Sequence, residues 1–230
     1  ILNNLSFKIN AGDHCALQGR TGSGKSTLVK LLLKLYEPQS GEILLNGVPL
    51  NEFSQKSLAE NIGYVSQSIV LFYASIRDNI RMFDESISDE QIKEALKKSG
   101  MYEKIMALPG GLDYICEDGA ANFSGGETQL LACARLFLKQ SKIIILDEST
   151  AKLDNTEQEK IQLAFNELIE NKTAIIIAHR TETLEKTNVK FLLENGKLSQ
   201  GEKAELSVGK ETDKTGGTAV IRQIFSRRSK

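Results

Sequence analysis

A glycine-rich stretch at residues 19–26, GRTGSGKS, constrains the fold of this 230-residue chain more than any other feature. It matches the pattern G-x-x-x-x-G-K-[ST] without a mismatch. The apolar residues 15–17 before it predict a strand. Residues 25–36 after it have the pattern of a mostly buried helix with a polar stripe at Lys30 and Lys34. Strand, tight turn and helix in this order favour an α/β fold.

The residue types in this loop favour phosphate binding. Glycines let backbone N–H groups converge on phosphate oxygens, and the positive end of the following helix adds to the field. Lys25 offers a point charge to the β- and γ-phosphates, and the Ser26 hydroxyl can ligate Mg²⁺. The alternative is a chance glycine-rich turn, which the strand and helix on either side argue against. The residues expected to contact nucleotide here are Gly19, Arg20, Thr21, Gly22, Ser23, Gly24, Lys25, Ser26 and Thr27.

Two carboxylates follow a strand-like run at residues 142–146. A buried central strand would deliver Asp147 and Glu148 to the carboxyl edge of the sheet, where ligands bind in open α/β folds. Asp147 is then expected to hold Mg²⁺, and Glu148 to accept a proton from the attacking water. Acidic residues at a strand end are, taken alone, ordinary turn or N-cap residues. Beside an intact phosphate loop they predict a P-loop nucleotidase.

Strand-like runs recur along the chain with helical patterns between them. They predict a mixed, mainly parallel sheet in an α/β core, with additional antiparallel strands. Residues 189–193 and 197–200 are expected to form a hairpin that turns at Asn195-Gly196. Further strands are expected at residues 5–9, 41–45, 62–66 and 173–178.

A helix-rich segment at residues 75–139 is expected to be a helical subdomain inserted in a domain that spans residues 1–206. Ser88 and Gln91 form a capping-box pattern at the start of one helix, which Gly100 ends. A later helix is expected to bury the apolar face formed by Ile161, Ala164, Phe165 and Leu168.

Residues 207–230 are polar and are expected to form a flexible C-terminal tail, with a weak helix around residues 220–225 as the alternative. The chain starts at Ile1 with a strand almost at once, and we interpret it as part of a longer protein.

Composition excludes some functional classes. The chain has 29 Lys and Arg against 30 Asp and Glu, a net charge of -1 that does not mark a nucleic-acid binder. Three cysteines without a C-x-x-C pair disfavour a disulfide framework and a zinc site, and fit a reducing compartment. No apolar run approaches the ~18 residues of a transmembrane helix.

A third motif, NFSGGETQ at residues 122–129, points to a family. With the loop at 19–26 and Asp147-Glu148 it resembles the ATP-binding cassette (ABC) family, whose signature reads LSGGQ. The resemblance covers about residues 1–206 and implies ATP and Mg²⁺ as ligands and Mg²⁺-dependent ATPase activity. Three more residues match positions of the family. Gln67 matches the Q-loop glutamine, which reaches Mg²⁺, and His179 matches the switch histidine, which contacts the γ-phosphate. Asp154 matches the D-loop aspartate.

The signature implies a partner. In the family it completes the ATP site of a second cassette in a head-to-tail pair, either a homodimer or a heterodimer. The residues that would contact the partner's nucleotide are Ser124, Gly125, Gly126 and Glu127, at the start of a helix expected to run to about residue 139. Ser124 and Glu127 also form a capping-box pattern that needs no ATP. Both interpretations can hold because a cap and a phosphate use the same free amides.

Residues 70–72 and 75–80, together with 116–119, are similar to exporter-type cassettes. Glu117 matches the acidic residue of the exporter X-loop, which senses the transmembrane domain. The resemblance therefore implies transmembrane domains as partners, and a place at the cytoplasmic face of a membrane as part of an integral transporter.

Three departures from the family pattern leave alternatives open. Phe123 replaces leucine, Glu127 replaces glutamine, and Lys152 stands where a small residue is common. An ATP-hydrolysing exporter motor and a weakly active regulatory cassette of a heterodimeric exporter both fit. A soluble ABC ATPase acting on DNA or ribosomes fits less well with the exporter-like loops and near-neutral charge. In the motor, the catalytic residues would be Lys25, Glu148 and His179, and the metal ligands Ser26, Gln67 and Asp147.

Overall fold

A computed structural model describes residues 2–117, 122–147, 155–177, 187–200 and 219–225, with Asn155 and the last stretch described by their backbone alone. Glu148, Asp154 and His179, three of the predicted site residues, lie outside the described residues, as does Lys152. The chain divides into two compact units. The first comprises Ile1–Gly63, Ser141–Glu148 and Asn171–Lys230, and the second Tyr64–Gln140 and Ser149–Glu170.

The first unit is built on a six-stranded sheet of order β5-β6-β7-β2-β8-β9, of which β5 begins in this unit at residue 62 and ends in the second at residue 65. Strands β6, β7, β2 and β8 run parallel, and β9 pairs antiparallel with β8. Residues 143–146 and 173–177 are buried, as expected of parallel strands covered on both faces. The predicted mixed, mainly parallel sheet is confirmed. Its strands are β2 (His14–Gln18), β5 (Ile62–Val65), β6 (Ile143–Asp147), β7 (Thr173–Ile177), β8 (Val189–Glu194) and β9 (Lys197–Gln200).

The hairpin of β8 and β9 turns where the sequence predicts. Asn195 and Gly196 both have positive φ, 48° and 73°. A two-residue turn of this kind matches the twist of the flanking strands, and Asn-Gly adopts it at little cost.

A second, antiparallel sheet of order β1-β10-β3-β4 also lies in the first unit. Its strand β10 stands between β1 and β3, so the prediction of a tail or weak helix at residues 220–225 is wrong. Val, Ile and Phe favour strands, and two partners distant in the sequence supply the ladder. The remainder of the predicted tail lies outside the described residues. The strands are β1 (Asn3–Ile9), β3 (Ser40–Leu45), β4 (Val48–Pro49) and β10 (Ala219–Phe225).

The helices of the first unit are α1 (Lys25–Leu32) and α2 (Gln55–Asn61), with a 3₁₀ turn at Leu50–Glu52. Helix α1 ends earlier than the predicted residue 36. Lys34 adopts a left-handed conformation with φ 53°. The Leu35 N–H donates to the Lys30 carbonyl at 2.8 Å and the Lys34 N–H to the Leu31 carbonyl at 3.0 Å, a backbone pattern that closes a helix at a left-handed residue.

The second unit is mainly helical. Its α4 begins with the predicted capping box, because Ser88 N–H donates to Gln91 Oε1 at 2.9 Å and Gln91 N–H to Ser88 Oγ at 3.3 Å. The predicted apolar face of α7 is buried at all four positions. The unit contains residues 75–139 but also 64–74 and α7, so the predicted subdomain boundaries stay a prediction. Its helices are α3 (Ile76–Arg81), α4 (Asp89–Lys98), α5 (Tyr102–Ala107), α6 (Gly125–Phe137) and α7 (Asn155–Ile169), with a 3₁₀ turn at Gly111–Asp113.

Among the described residues, no helix has both the length and the apolar character that a membrane span requires.

Candidate nucleotide site

The glycine-rich loop connects β2 to the N-terminus of α1, as its motif requires. Gly24 precedes the helix with φ 108° and, as a glycine, has no side chain to cap the first turn of α1. The first four N–H groups of a helix have no partner within it. Because the N-cap residue offers them no side-chain acceptor, these amides and the helix dipole can serve an anion.

Lys25 curls back over the loop that precedes it. Its ammonium group donates to the carbonyl oxygens of Gly19, at 2.6 Å, and Arg20, at 3.0 Å. The residue is only 8% exposed. Burial lowers the pKa of Lys25, and the negative charge of Asp147 partly opposes that shift. A cation in such a place gains more from an anionic ligand than a solvated one would.

Gly19 is the position where the loop packs most tightly. A Cβ built there would lie 2.3 Å from the Leu193 carbonyl oxygen and 2.6 Å from Ser23 Oγ, and φ is +152°. At Gly22, by contrast, a Cβ would meet nothing within 4 Å. Gly19 therefore lets the loop lie against β8, while Gly22 leaves the loop surface open.

Ser23 supplies a hydroxyl without a partner. Its Oγ is buried and has no hydrogen-bond partner in the part of the chain that the structure describes. A buried hydroxyl is costly unless it is paired. A phosphate oxygen accepting from it would remove that cost, so the loop fits an anionic ligand.

Asp147 stands at the carboxyl edge of the parallel sheet. It is the last residue of β6 and lies opposite Ile177 of β7, which in turn lies opposite Leu17 of β2. Asp147 thus ends its strand at the level where β2 leads into the loop, and its charge reaches Lys25. Carboxylate and hydroxyl oxygens, which Asp147 and the exposed Ser26 provide, are donors that Mg²⁺ prefers. The chemistry of these side chains therefore fits that ion.

The signature lies in the second unit, at the N-terminus of α6. The predicted capping box is present: Glu127 N–H donates to Ser124 Oγ at 3.1 Å, and Ser124 N–H to Glu127 Oε2 at 3.0 Å. Lys104 of α5 also pairs with Glu127. Burial raises the pKa of Glu127, but the hydrogen bonds from Lys104 and Ser124 outweigh it and leave that pKa below its ordinary value. The unusual signature carboxylate is therefore charged and locally paired.

Two further contacts at the signature were not predicted from the sequence. Ser124 Oγ donates a hydrogen bond of 2.8 Å to Glu157 Oε1 of α7. A Cβ at Gly126 would lie 3.2 Å from Glu157 Oε2, so the glycine allows this carboxylate to approach α6. The two partners are 33 residues apart in sequence, and no local pattern connects them.

Gln67 and Glu117 are both exposed. The Glu117 N–H donates to Asn122 Oδ1 at 3.3 Å, which connects the X-loop position to the residues before the signature. Within the first unit the structure brings together Lys25, Asp147 and the loop. The grouping of Gln67 with that loop stays a prediction.

Comparison with known proteins decides the family. Residues 2–151 match the family model described as ABC transporter. The chain belongs to the ABC transporter family. The cassette is 39% identical over 197 residues to the ATP-dependent lipid A-core flippase of Saccharophagus degradans, covering 86% of this chain and 34% of that protein. It is 40% identical over 200 residues to the lipid A-core flippase of Haemophilus influenzae, with the same two shares covered.

The fold comparison agrees. A bacterial Atm1-family ABC exporter solved with ATP bound matches with a TM-score of 0.80 and 34% identity, covering 88% of this chain and 36% of that one. The prediction of a nucleotide-binding domain of the ABC exporter type, within a family of transporter ATPases, is confirmed. The chain spans about a third of the length of these relatives.

Proposed function

We propose that the cassette binds ATP with Mg²⁺ and hydrolyses it to drive an exporter. The observation that carries this proposal is the loop of the first unit, where uncapped α1 amides, the buried Lys25 ammonium and the Asp147 carboxylate occur together. The relatives support ATP as the ligand and export as the process, since two are flippases named as ATP-dependent and one is an exporter with ATP bound.

Lys25 and the loop would position the transferred phosphoryl group. The loop amides and the Ser23 hydroxyl donate to phosphate oxygens, and Lys25 places a positive charge where negative charge develops in the transition state. The Lys25 ammonium group gives two of its three N–H donors to the Gly19 and Arg20 carbonyls, and its third would donate to a phosphate oxygen. Arg20, Thr21 and Thr27 would contribute further contacts to the nucleotide.

Ser26, Asp147 and Gln67 would hold Mg²⁺, which neutralises phosphate charge when bound. Glu148 follows Asp147 directly in sequence and would accept the proton of the attacking water. His179 would contact the γ-phosphate, and Asp154 the opposite cassette. These roles rest on the family positions of the six residues.

A second cassette would complete the site. Ser124, the Gly125 and Gly126 amides and the start of α6 would meet the nucleotide of the partner, whether the partner is a second copy or a different cassette. The Glu127 charge does not argue for an inactive cassette, because the capping box and Lys104 already engage it.

An exposed apolar patch supports a transmembrane partner. We define the patch by Val70, Phe72, Tyr73, Met82 and Phe83, which lie shortly after Gln67 in sequence; Val70 is 63% and Tyr73 74% exposed. Phe72 and Phe83 stack edge to face with ring centroids 5.7 Å apart. Clustered exposed apolar side chains mark interaction sites on soluble surfaces. Transmembrane domains that dock on this patch would place the cassette at the cytoplasmic face of a membrane.

The test is Mg²⁺-dependent ATP hydrolysis by the chain at several protein concentrations. We expect the rate to rise faster than linearly with concentration and to be lost in Glu148→Gln. Glu159→Gln is an equal change of charge on the exposed face of α7 and should leave the rate of ATP hydrolysis unchanged. Turnover that persists in Glu148→Gln would overturn the assignment of the proton acceptor. ATP binding without turnover in the unaltered chain would overturn the hydrolytic function.

A further inference from the structure

The signature serine is engaged within its own chain. Ser124 Oγ accepts a hydrogen bond from Glu127 N–H and donates its one proton to Glu157 Oε1, at 2.8 Å. A hydroxyl has a single O–H to donate. Phosphate oxygens accept and do not donate, so Ser124 can donate to a phosphate only after its bond to Glu157 has been broken.

Glu157 is held close to the signature by the packing of α6 and α7. It lies in the first turn of α7, where the helix dipole favours a carboxylate. A Cβ at Gly126 would meet Glu157 Oε2 at 3.2 Å and Ile161 Cδ1 at 3.4 Å, so the two helices are in close contact at this point. The carboxylate is therefore a fixed feature of the signature surface.

The Glu157 carboxylate and a phosphate would compete for the same Ser124 proton. Glu157 Oε1 accepts from the Ser124 hydroxyl at 2.8 Å, and a charged acceptor makes a stronger hydrogen bond than a neutral one. An incoming phosphate oxygen therefore has to displace a charge-assisted bond.

We propose that Glu157 is a positioning residue that restrains the signature serine in the unpaired cassette, an inference that rests on the proposed function. Pairing with a nucleotide-loaded cassette requires Ser124 to exchange the Glu157 carboxylate for a phosphate oxygen. Glu157 thereby sets the ATP concentration at which two cassettes associate.

The test compares Glu157→Ala and Glu157→Gln in a Glu148→Gln background, which is designed to hold ATP unhydrolysed. The measurement is the ATP concentration that gives half-maximal dimer, by sedimentation at fixed protein and Mg²⁺ concentrations. Removing a charge-assisted hydrogen bond at a partly exposed site should lower this concentration about three- to tenfold in Glu157→Ala. Glu157→Gln removes the charge but keeps an acceptor, and should shift the midpoint less.

Two controls separate this effect from a loss of structure. Glu159→Gln removes the same charge two residues further along α7 and should leave the midpoint unchanged. A damaged signature would raise the ATP requirement, so tighter pairing cannot arise from local unfolding. Ser124→Ala should weaken pairing, and combining it with Glu157→Ala should abolish the gain.

The outcomes distinguish the inference from the function on which it rests. The inference is overturned if the parent forms a dimer and both Glu157 variants need the same or a higher ATP concentration for half-maximal dimer. The proposed function would still stand in that case. If neither the parent nor any variant forms an ATP-dependent dimer, the proposed pairing fails and the role of Glu157 fails with it.

Discussion

At the nucleotide loop, Lys25 has to remain charged in a place that disfavours its charge. Burial lowers its pKa below the ordinary value of 10.5, and Asp147 restores part of the loss. Between the folded and unfolded pKa values the unfolded chain binds more protons than the folded one. The contribution of Lys25 to the free energy of unfolding therefore increases as the pH rises through that window.

Lys25→Met isolates this term because methionine keeps an unbranched side chain and has no ionisable group. Without nucleotide, we expect the free energy of unfolding of the unaltered chain to increase relative to that of the variant as the pH rises from neutral towards 10.5. Urea unfolding at a series of pH values measures the difference, and a difference independent of pH would contradict a buried ammonium.

The same two proteins can be compared with nucleotide. At 100 times the dissociation constant, ATP should raise the free energy of unfolding of the unaltered chain by about 2.7 kcal/mol and leave that of Lys25→Met unchanged.

Gly19 permits a close approach of two backbones that no other residue allows. Gly19→Ala would place a methyl group against the Leu193 carbonyl oxygen at 2.3 Å. We expect a loss of roughly 2–5 kcal/mol in the free energy of unfolding, from overpacking together with left-handed strain. Gly12→Ala is the matched control, because Gly12 has φ +79° and open space around it; strain alone costs about 1–2 kcal/mol there. Equal losses in the two variants would show that the loop does not lie against β8.

At the scale of elements, the signature helix α6 holds the stretch that carries the apolar patch. Arg135 of α6 donates to the Val70 carbonyl, the Asn79 carbonyl and Asn79 Oδ1, at 2.9, 2.9 and 3.0 Å. Asn79 is fully buried and bonds to Phe72 in both directions, at 2.8 and 2.9 Å. A displacement of α6 would therefore carry the stretch 70–79 with it, which provides a physical link between the signature and the patch.

Asn79→Ala tests that link. The substitution leaves the Phe72 N–H and part of the Arg135 guanidinium without acceptors in a buried setting, so we expect a loss of about 2–4 kcal/mol in the free energy of unfolding. Hydrogen exchange should also accelerate at residues 70–74. As a control, Glu94→Gln breaks an exposed pair with Lys97 and should leave the free energy of unfolding nearly unchanged. Unchanged exchange at residues 70–74 would separate the patch from α6.

Elements whose signals are local could be predicted from the sequence. The Asn195-Gly196 hairpin, the capping boxes of α4 and α6 and the buried face of α7 each depend on residues a few positions apart. Strand β10 could not, since its partners β1 and β3 lie more than 170 residues away and the segment before it is polar. The bond between Ser124 and Glu157 was missed for the same reason.

At the scale of the whole molecule, the two halves of the proposed site lie in different compact units. The phosphate loop with Lys25 and Asp147 is in the first, and the signature with Ser124 is in the second. If each signature serves the nucleotide of a second cassette, the two regions respond to ATP under different conditions. Binding at the loop involves one chain, whereas engagement of the signature requires two.

Hydrogen exchange of the Glu148→Gln chain with Mg²⁺ and saturating ATP distinguishes these two events. We expect protection of residues 19–27 at every protein concentration, because a bound phosphate accepts from the loop amides. Protection of the Gly125 and Gly126 amides should appear only as protein concentration rises towards the level at which the dimer forms, and should vanish on dilution at constant ATP. Lys25→Met should lose the protection of both the loop and the signature, whereas Ser124→Ala should lose mainly the protection of the signature. Equal protection of the Gly125 and Gly126 amides at all protein concentrations would mean that the signature serves its own chain, and the head-to-tail pair would have to be abandoned.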